Sequence, residues 1–309
     1  MSKFVRLKIS ELVRSFSLYL GVEKKYSHHT SISYENDLEQ FSSFCARTFE
    51  TVLLADVRST MIRSWIVSMM SENISSSSVN RKISTLRSFY KWLHKKGHTD
   101  KNPMVKIAGP KKSKKLPVIV QDVNISRLLE KDLCSEDESG SYSINRNNFI
   151  VELLYSTGIR RAELIGLNVS DINLSRKEIR VIGKGNKVRS IPLTESLVES
   201  IEQYLKIRMQ AKIADSDALI LTNKGKRIYP RLVHQIVSRK LSGVTTLSKK
   251  SPHVLRHSFA THMLDRGAEL NAIKEILGHA NLAATQVYTH NSITKLKETY
   301  SKAHPRSIK

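Results

Sequence analysis

The spacing of hydrophobic residues predicts helices through the first part of the chain. Four apolar stripes recur at intervals of three or four residues, the period of a helix that buries one face. They lie in residues 7–20, 34–45, 61–69 and 79–93. Segments rich in Ser, Thr and His, such as 27–33 and 75–78, separate the stripes and supply candidate helix caps. Gly97 and Pro103 are expected to end the fourth helix.

The pattern changes after residue 118 and becomes mixed. Alternating residues at 177–182 and 187–191, joined by Gly-Lys-Gly-Asn at 183–186, predict a β-hairpin. A Ser-rich, partly acidic insert at 134–143 is expected to be a surface loop. Helices are predicted at 124–131, 147–156, 161–167, 195–210, 229–240, 252–266, 271–277, 283–288 and 294–303.

These elements predict a mainly α fold with a small antiparallel β-sheet, arranged as two domains. Residues 1–107 form a helical domain, and residues 119–290 form a mixed α/β domain. Residues 108–118 form a basic linker, because Gly109, Pro110 and Pro117 break regular structure and four lysines repel one another. Residues 291–309 form a basic tail that contains the last helix.

The charge of the chain is its strongest compositional feature. The chain has 51 Lys and Arg against 28 Asp and Glu, a net charge of +23. Such a surplus predicts a polyanionic partner, most often nucleic acid, and two basic domains with a basic linker suit a clamp around a rod-like polyanion. A membrane surface and a merely basic soluble protein are the alternatives. No apolar run is long enough to span a bilayer, and the amino terminus lacks a signal-peptide core.

Several classes of chemistry have no motif in the sequence. There is no Walker A loop, and no HExxH or comparable metal-ligand spacing is present, so we expect neither ATP nor a metal cofactor. The sequence shows no acidic set that suggests two-metal nuclease chemistry, although the sequence does not exclude one. The two cysteines, Cys45 and Cys134, form no disulfide framework and fit a reducing compartment.

Basic residues in three regions are candidate phosphate contacts. In the fourth helix we expect the apolar face to point inward and the basic residues to lie outside. A solvated surface is the alternative. The candidates are Arg81, Lys82, Arg87 and Lys91 of the fourth helix, Lys111 and Lys112 of the linker, and Arg231 and Arg239 of the second domain.

The segment Ser-Pro-His-Val-Leu-Arg-His at 251–257 predicts an anion-binding helix start. Ser251 suits an N-cap and Pro252 suits the first helical position. His253 then lies in the first turn, where the helix dipole favours anions, and Arg256 shares its face. The alternative is a capped helix with a surface arginine.

Four further residues are candidates on position alone. Arg160 follows Gly158 at a tight junction between two helices, where a solvated or salt-bridged arginine is the alternative. Lys184 lies on the hairpin turn, where it is either a ligand-reaching cation or a solvated lysine. His279 directly follows Gly278, a predicted helix stop, and Tyr288 is either reactive or a packed aromatic.

Together these segments resemble the tyrosine recombinases, and within them the Xer type. The matching segments are T-G-I-R at 157–160, G-K-G-N-K at 183–187, H-V-L-R-H at 253–257 and L-G-H-x-N-L-x-x-T-Q-x-Y-T-H at 277–290. They occur in the family's order and at similar intervals. Residues 75–93 also resemble the family's core-binding domain, so the resemblance covers nearly the whole chain.

The resemblance implies an enzyme that cuts and rejoins DNA strands through a 3′-phosphotyrosyl intermediate. Tyr288 would be the nucleophile, Arg160 and Arg256 would clamp the phosphate, and Lys184 would protonate the leaving 5′-oxygen. His253 would act as a general acid or base and His279 would hydrogen-bond the phosphate. No metal or cofactor is required, because the arginines supply the charge stabilisation.

The resemblance also implies an organisation and partners. Residues 1–107 would be the core-binding domain, residues 119–290 the catalytic domain, and residues 291–309 a helix exchanged between protomers. Four subunits would assemble on two duplexes with an inverted-repeat core site, with or without a paralogous recombinase and a septal DNA translocase. We expect a prokaryotic, cytoplasmic, nucleoid-associated protein without membrane contact.

Departures from the family pattern are small, and alternatives remain. Ile159 replaces a usual Leu, and Asn147 follows Arg146 where an Arg-Asp pair is common, so a structural ion pair is expected to be missing. A type IB topoisomerase would use nearly the same residues, and a DNA-binding protein without catalysis would have the same charge. Chromosome or plasmid dimer resolution, inversion and mobile-element integration all remain possible roles.

Overall fold

The computed structural model describes residues 9–50, 53, 56–111, 118–129, 138–183, 185–210, 217–278, 300 and 303. The chain divides into two compact units, residues 1–115 and 116–309. The predicted helix 283–288 lies outside the described residues, and so does the predicted helix 294–303 apart from residues 300 and 303. Lys112, Lys184, His279 and Tyr288 also lie outside them.

The first unit contains the four helices that the apolar stripes predict. They are α1 (Ile9–Val22), α2 (His28–Phe49), α3 (Ser59–Ser71) and α4 (Ser76–Lys95). Ser27 and Ser75 cap α2 and α4, since their hydroxyls accept hydrogen bonds from the backbone amides of Thr30 and Ser78. The apolar faces meet in an aromatic core in which Phe16 packs against Phe89 and Trp92.

The sequence predicts that the basic residues of α4 lie on its outer face, but not all of them do. Lys82 is 7% exposed, and its Nζ donates to Asp37 Oδ1 at 2.9 Å and to Gln40 Oε1 at 2.5 Å. Arg81 donates to both carboxylate oxygens of the same Asp37. The prediction of an outward Lys82 is therefore wrong, because a buried carboxylate on α2 requires cationic partners.

The second unit contains the remaining helices and the sheet. The helices are α5 (Asp122–Leu129), α6 (Glu138–Thr157), α7 (Arg161–Gly166), α8 (Glu195–Gln210), α9 (Pro230–Val244), α10 (Pro252–Asp265) and α11 (Leu270–Leu277), with a short 3₁₀ helix at Val169–Asp171. Its described part has a three-stranded antiparallel sheet in the order β1 (Ile172–Asn173), β2 (Glu178–Ile182) and β3 (Val188–Pro192). Ile179 pairs with Ile172 on one side and Ile191 on the other.

Three local features differ from the sequence-based expectations. Residues 138–143 belong to α6 rather than to a surface loop, and buried Tyr142 donates to Leu221 O at 3.1 Å. The strand β1 was not predicted. The expected loss of an ion pair at Arg146 is compensated by amides, since this buried guanidinium donates to Asn147 Oδ1 and, at 2.6 Å, to Asn223 Oδ1.

The helix α6 forms the centre of the second unit and leads into the junction with α7. Residues 149–151 and 153–155 are at most 3% exposed, because α8, α9 and α10 all pack against this helix. The carboxyl end of α6 is therefore fixed in the core beside α10. The chain then turns at Gly158 and begins α7 at Arg161.

Candidate active site

Gly158 makes the close approach of three helices possible. Its φ is +61°, a left-handed conformation that favours glycine. A Cβ at this position would lie 2.6 Å from Phe259 Cδ1 on α10 and 2.8 Å from Leu277 Cδ2 on α11. The glycine therefore lets α6 end against α10 and α11, and Arg160 follows two residues later as the N-cap of α7.

Arg160 extends from this junction to the carboxyl end of α11. Its Nη1 donates to Glu163 Oε1 at 2.8 Å and to Leu277 O at 3.2 Å, and its Nη2 donates to Gly278 O at 3.1 Å. The backbone amide of Arg160 donates to Glu163 Oε2 at 2.7 Å. The side chain keeps 34% of its surface exposed, so a ligand can still reach it.

Arg256 is buried rather than superficial. It is 8% exposed, and its Nη1 and Nη2 donate to Gly158 O at 2.5 Å and to Leu277 O at 2.7 Å. Burial above all, and then the positive charge of Arg160, lower the pKa of Arg256 to about 10. The guanidinium therefore stays charged at neutral pH, and the alternative of a surface arginine is wrong.

The start of α10 has the predicted position but not the predicted cap bond. Ser251 is the N-cap residue and Pro252 the first helical residue, yet the Ser251 side chain makes no capping hydrogen bond. His253 lies exposed in the first turn, three residues before Arg256. The first-turn imidazole is thus on the helix end that attracts anions.

The carboxyl end of α11 brings the arginines together. Gly278 ends the helix with a φ of +63°, as the sequence predicts. Leu277 O accepts from both Arg160 and Arg256. Because the last carbonyls of a helix lack intrahelical partners and carry partial negative charge, they favour cations. The carbonyl of Leu277 therefore holds two guanidiniums side by side.

Two further residues of this cluster escaped the sequence analysis. Glu163 accepts from Arg160 and also from Arg189, whose Nη1 and Nη2 approach Oε1 and Oε2 at 3.0 and 2.8 Å. Burial alone would raise the pKa of Glu163, but the hydrogen bonds from Arg189 and Arg160 outweigh it and lower the pKa. A signal existed for Arg189, because alternation along β3 places it on the same face as buried Ile191.

The cluster is a positively charged site. Three arginines meet one glutamate, and both described hydrogen bonds of Arg256 go to neutral carbonyls. Two guanidiniums held side by side suit the oxygens of a phosphate, which they bind through paired hydrogen bonds. Lys184, His279 and Tyr288 lie outside the described residues, although His279 directly follows Gly278 in the chain.

The candidate phosphate contacts outside this cluster divide into exposed and engaged residues. Six of them are exposed: Arg81, Arg87, Lys91, Lys111, Arg231 and Arg239. Arg81 is 46% exposed on its side chain but is paired with Asp37, and Arg87 donates to Ile107 O at 2.5 Å. Lys82 is buried, so only part of the predicted set is available to a partner.

No described helix combines the length and the apolar character that a membrane crossing requires. No group of three or more His, Cys, Asp or Glu within the described ranges has the arrangement to hold a metal ion.

Comparison with known proteins identifies the family. Residues 127–295 match the model of the phage integrase family, and residues 13–97 match that of the phage integrase N-terminal SAM-like domain. The tyrosine recombinase XerC of Pelobacter propionicus is 39% identical over 97% of both chains. The tyrosine recombinase XerC of Staphylococcus epidermidis is 36% identical over 97% of this chain and 99% of its own.

Solved structures share the fold. The Tn1549 transposon integrase in complex with transposon right end DNA covers 95% of both chains with a TM-score of 0.72 at 17% identity. The XerH site-specific recombinase bound to its difH substrate covers 96% of this chain and 98% of its own, with a TM-score of 0.68 at 21% identity. On its family matches and full-length relatives, the chain belongs to the phage integrase family and is a site-specific tyrosine recombinase.

Proposed function

We propose that the protein cuts one DNA strand at a time through a 3′-phosphotyrosyl intermediate. Tyr288 is the nucleophile in this proposal, and the other catalytic residues are Arg160, Lys184, His253, Arg256 and His279. One observation supports the proposal. The charged, buried Arg256 donates its described hydrogen bonds to carbonyls, beside the guanidinium of Arg160. Glu163 favours the charged form of Arg256, but none of the described hydrogen bonds of Arg256 goes to a carboxylate, and we therefore take this pair of guanidiniums as the seat of a phosphate.

The reaction follows from these groups. The Tyr288 hydroxyl gives its proton to His253 and its oxygen attacks phosphorus; a bond from phosphorus to the tyrosine oxygen forms, and the bond to the 5′-oxygen breaks. Negative charge develops on the non-bridging oxygens, where Arg160 and Arg256 stabilise it. Lys184 gives a proton to the leaving 5′-oxygen, and nearby positive charge makes an ammonium a better acid. Rejoining reverses the same steps and needs no external energy source.

The two histidines complete the site. His253 is exposed in the first turn of α10, on the same helix as Arg256, where it can transfer a proton near the phosphate. His279 directly follows the end of α11, and we assign it a hydrogen bond to a phosphate oxygen. Neither role requires a metal or a cofactor.

The domain organisation supports a clamp on DNA. We propose that residues 1–107 form the core-binding domain, 108–118 a linker, 119–290 the catalytic domain and 291–309 a helix exchanged between protomers. Lys91, Lys111, Arg231 and Arg239 are exposed candidates for backbone contacts. The similar XerH structure is a complex with palindromic substrate DNA, the kind of inverted-repeat site that we propose for this protein. Four subunits on two such duplexes complete the proposed assembly.

The biological role that we favour is resolution of chromosome dimers. Several relatives named XerC match this chain almost from end to end. In this role the protein acts in the cytoplasm on the nucleoid, with a paralogous recombinase in the same tetramer and a septal DNA translocase as activator. Inversion and integration are the competing roles within the family.

Covalent capture in the source cell tests the chemistry and the role together. Wild type, Tyr288→Phe and the control Tyr229→Phe, which removes the hydroxyl of a residue that is 50% exposed, are denatured rapidly and purified, and attached DNA is sequenced. We expect DNA on wild type and the control and none on Tyr288→Phe. One site near the replication terminus supports dimer resolution, whereas several inverted-repeat sites support inversion. DNA on Tyr288→Phe contradicts the assigned nucleophile.

A further inference from the structure

Arg189 joins three elements of the second unit through one guanidinium. It lies on β3 with 6% of its side chain exposed. Its Nε donates to Ile276 O on α11 at 2.8 Å, and its Nη1 and Nη2 donate to the two oxygens of Glu163 on α7. Such a fork fixes both distance and orientation, because three donors lie in one rigid plane.

Glycines on two sides make room for this guanidinium. A Cβ at Gly278 would lie 3.1 to 3.2 Å from Nη1, Cδ and Cζ of Arg189. A Cβ at Gly183 would lie 3.3 Å from Nη1 and 3.5 Å from Glu163 Oε1. Gly183 follows β2 and Gly278 ends α11, so the hairpin and the helix end both approach Arg189 without an intervening side chain.

Glu163 depends on Arg189 for half of its hydrogen bonds. Each carboxylate oxygen accepts once from Arg160 and once from Arg189. Without Arg189 the buried carboxylate would keep only Arg160, and burial would raise its pKa. Glu163 would then hold Arg160 less firmly, and the end of α11 would lose a donor at Ile276 O.

We propose that Arg189 is a positioning residue of the recombinase. It acts through Glu163 and the α11 carbonyls, and it keeps Arg160 and Arg256 in the spacing that a phosphate requires. It also ties β3, which follows the turn containing Lys184, to the helix end that precedes His279 in the chain. This inference rests on the proposed roles of Arg160 and Arg256.

Hydrogen exchange on the DNA-free protein tests the physical part of the proposal. The variants are Arg189→Gln and the control Arg180→Gln, which removes an arginine from neighbouring β2 that is 61% exposed and paired with Asp171. We expect Arg189→Gln to speed exchange in peptides 159–167 and 270–278 by about 10-fold, since hydrogen bonds to a charged group are lost. Unchanged exchange, or an equal change in Arg180→Gln, overturns the proposal.

Strand cleavage tests its consequence. The probe is the duplex recovered by covalent capture, used under single-turnover conditions at saturating protein. We expect Arg189→Gln to slow cleavage by about 100-fold, the effect of an ångström-scale misplacement, while the Kd for DNA stays unchanged. Arg189→Lys should fall between wild type and Arg189→Gln, because an ammonium keeps the charge but not the fork. Full activity of Arg189→Lys, or a loss confined to the Kd, contradicts positioning.

A double variant separates positioning through Glu163 from an independent effect. If the two residues act as one unit, Arg189→Gln in a Glu163→Gln background costs no more than the worse single variant. Additive losses overturn the proposal. If wild type forms no adduct, the proposed function fails, whereas the exchange result still decides whether Arg189 holds α7 and α11 together.

Discussion

Substitution of Gly158 by Ala is the sharpest test of how the site is built. The glycine has a φ of +61°, and a Cβ would lie 2.6 Å from Phe259 Cδ1 and 2.8 Å from Leu277 Cδ2. Both neighbours are buried and cannot move far. Gly158 O also accepts from Arg256, so any displacement of this residue moves a guanidinium of the site.

Two other glycines separate the two causes of the expected destabilisation, the left-handed backbone and the steric overlap. Gly267 has a φ of +81°, but nothing lies within 4 Å of its added Cβ, and Gly243 on α9 has open space without a positive φ. A left-handed alanine costs about 1 to 2 kcal/mol, and overpacking costs about 1 to 3 kcal/mol more. We therefore expect a loss of about 2 to 5 kcal/mol for Gly158→Ala, about 1 to 2 for Gly267→Ala, and a gain of about 0.5 to 1 for Gly243→Ala in its helix.

Urea unfolding measures these differences. Circular dichroism follows both units, while tryptophan fluorescence follows the first unit, because Trp65 and Trp92 both lie there. The free energy of unfolding should be highest for Gly243→Ala, followed by wild type, Gly267→Ala and Gly158→Ala in that order. If Gly158→Ala were no less stable than Gly267→Ala, steric contact with α10 and α11 would not explain the glycine.

Three further predictions concern ionisable side chains. Lys82→Gln should lower the free energy of unfolding by about 2 kcal/mol, because it removes a buried hydrogen bond to the Asp37 carboxylate. Lys91→Gln should leave stability unchanged and weaken DNA binding with a smaller salt dependence, as gel-shift titrations at several salt concentrations would show. Burial lowers the pKa of His262, so its neutral form is favoured on folding. Stability should therefore fall as pH drops below about 6.5, and denaturant titrations at pH 7 and 5 should show a smaller fall for His262→Gln.

The helices could be predicted largely because their apolar stripes repeat at the helical period. The error at residues 138–143 has a tertiary cause, since Ser and Gly dominate locally but Tyr142 packs inside and bonds Leu221 O. Lys82 falls three residues after Val79, on the buried stripe of α4. Its partner Asp37 is on another helix, so the sequence alone did not show why a lysine is buried there.

The candidate site also contains residues that local sequence patterns indicate and residues that only tertiary contacts explain. Arg160 and Arg256 could be singled out from local patterns, a glycine at a helix junction for Arg160 and a capped helix start for Arg256, and both segments resemble family motifs. The alternation along β3 indicates that Arg189 is buried, but its pairing with Glu163 could not be predicted, because it exists only when β3 meets α7. The catalytic roles of all six proposed residues stay predictions, and Lys184, His279 and Tyr288 also lie outside the described residues.

The two units hold their buried cations in different ways. Arg81 and Lys82 both donate to the Asp37 carboxylate, and this network cancels part of their charge. Arg256 is held as firmly, but by the carbonyls of Gly158 and Leu277, which orient a guanidinium without neutralising it. The carbonyls at a helix end can therefore orient a guanidinium and leave its charge available to an anion. A carboxylate in the same place would orient the guanidinium but lower its affinity for an anion. It follows that replacing a carbonyl contact of Arg256 by a carboxylate would keep its geometry and weaken the proposed binding of phosphate.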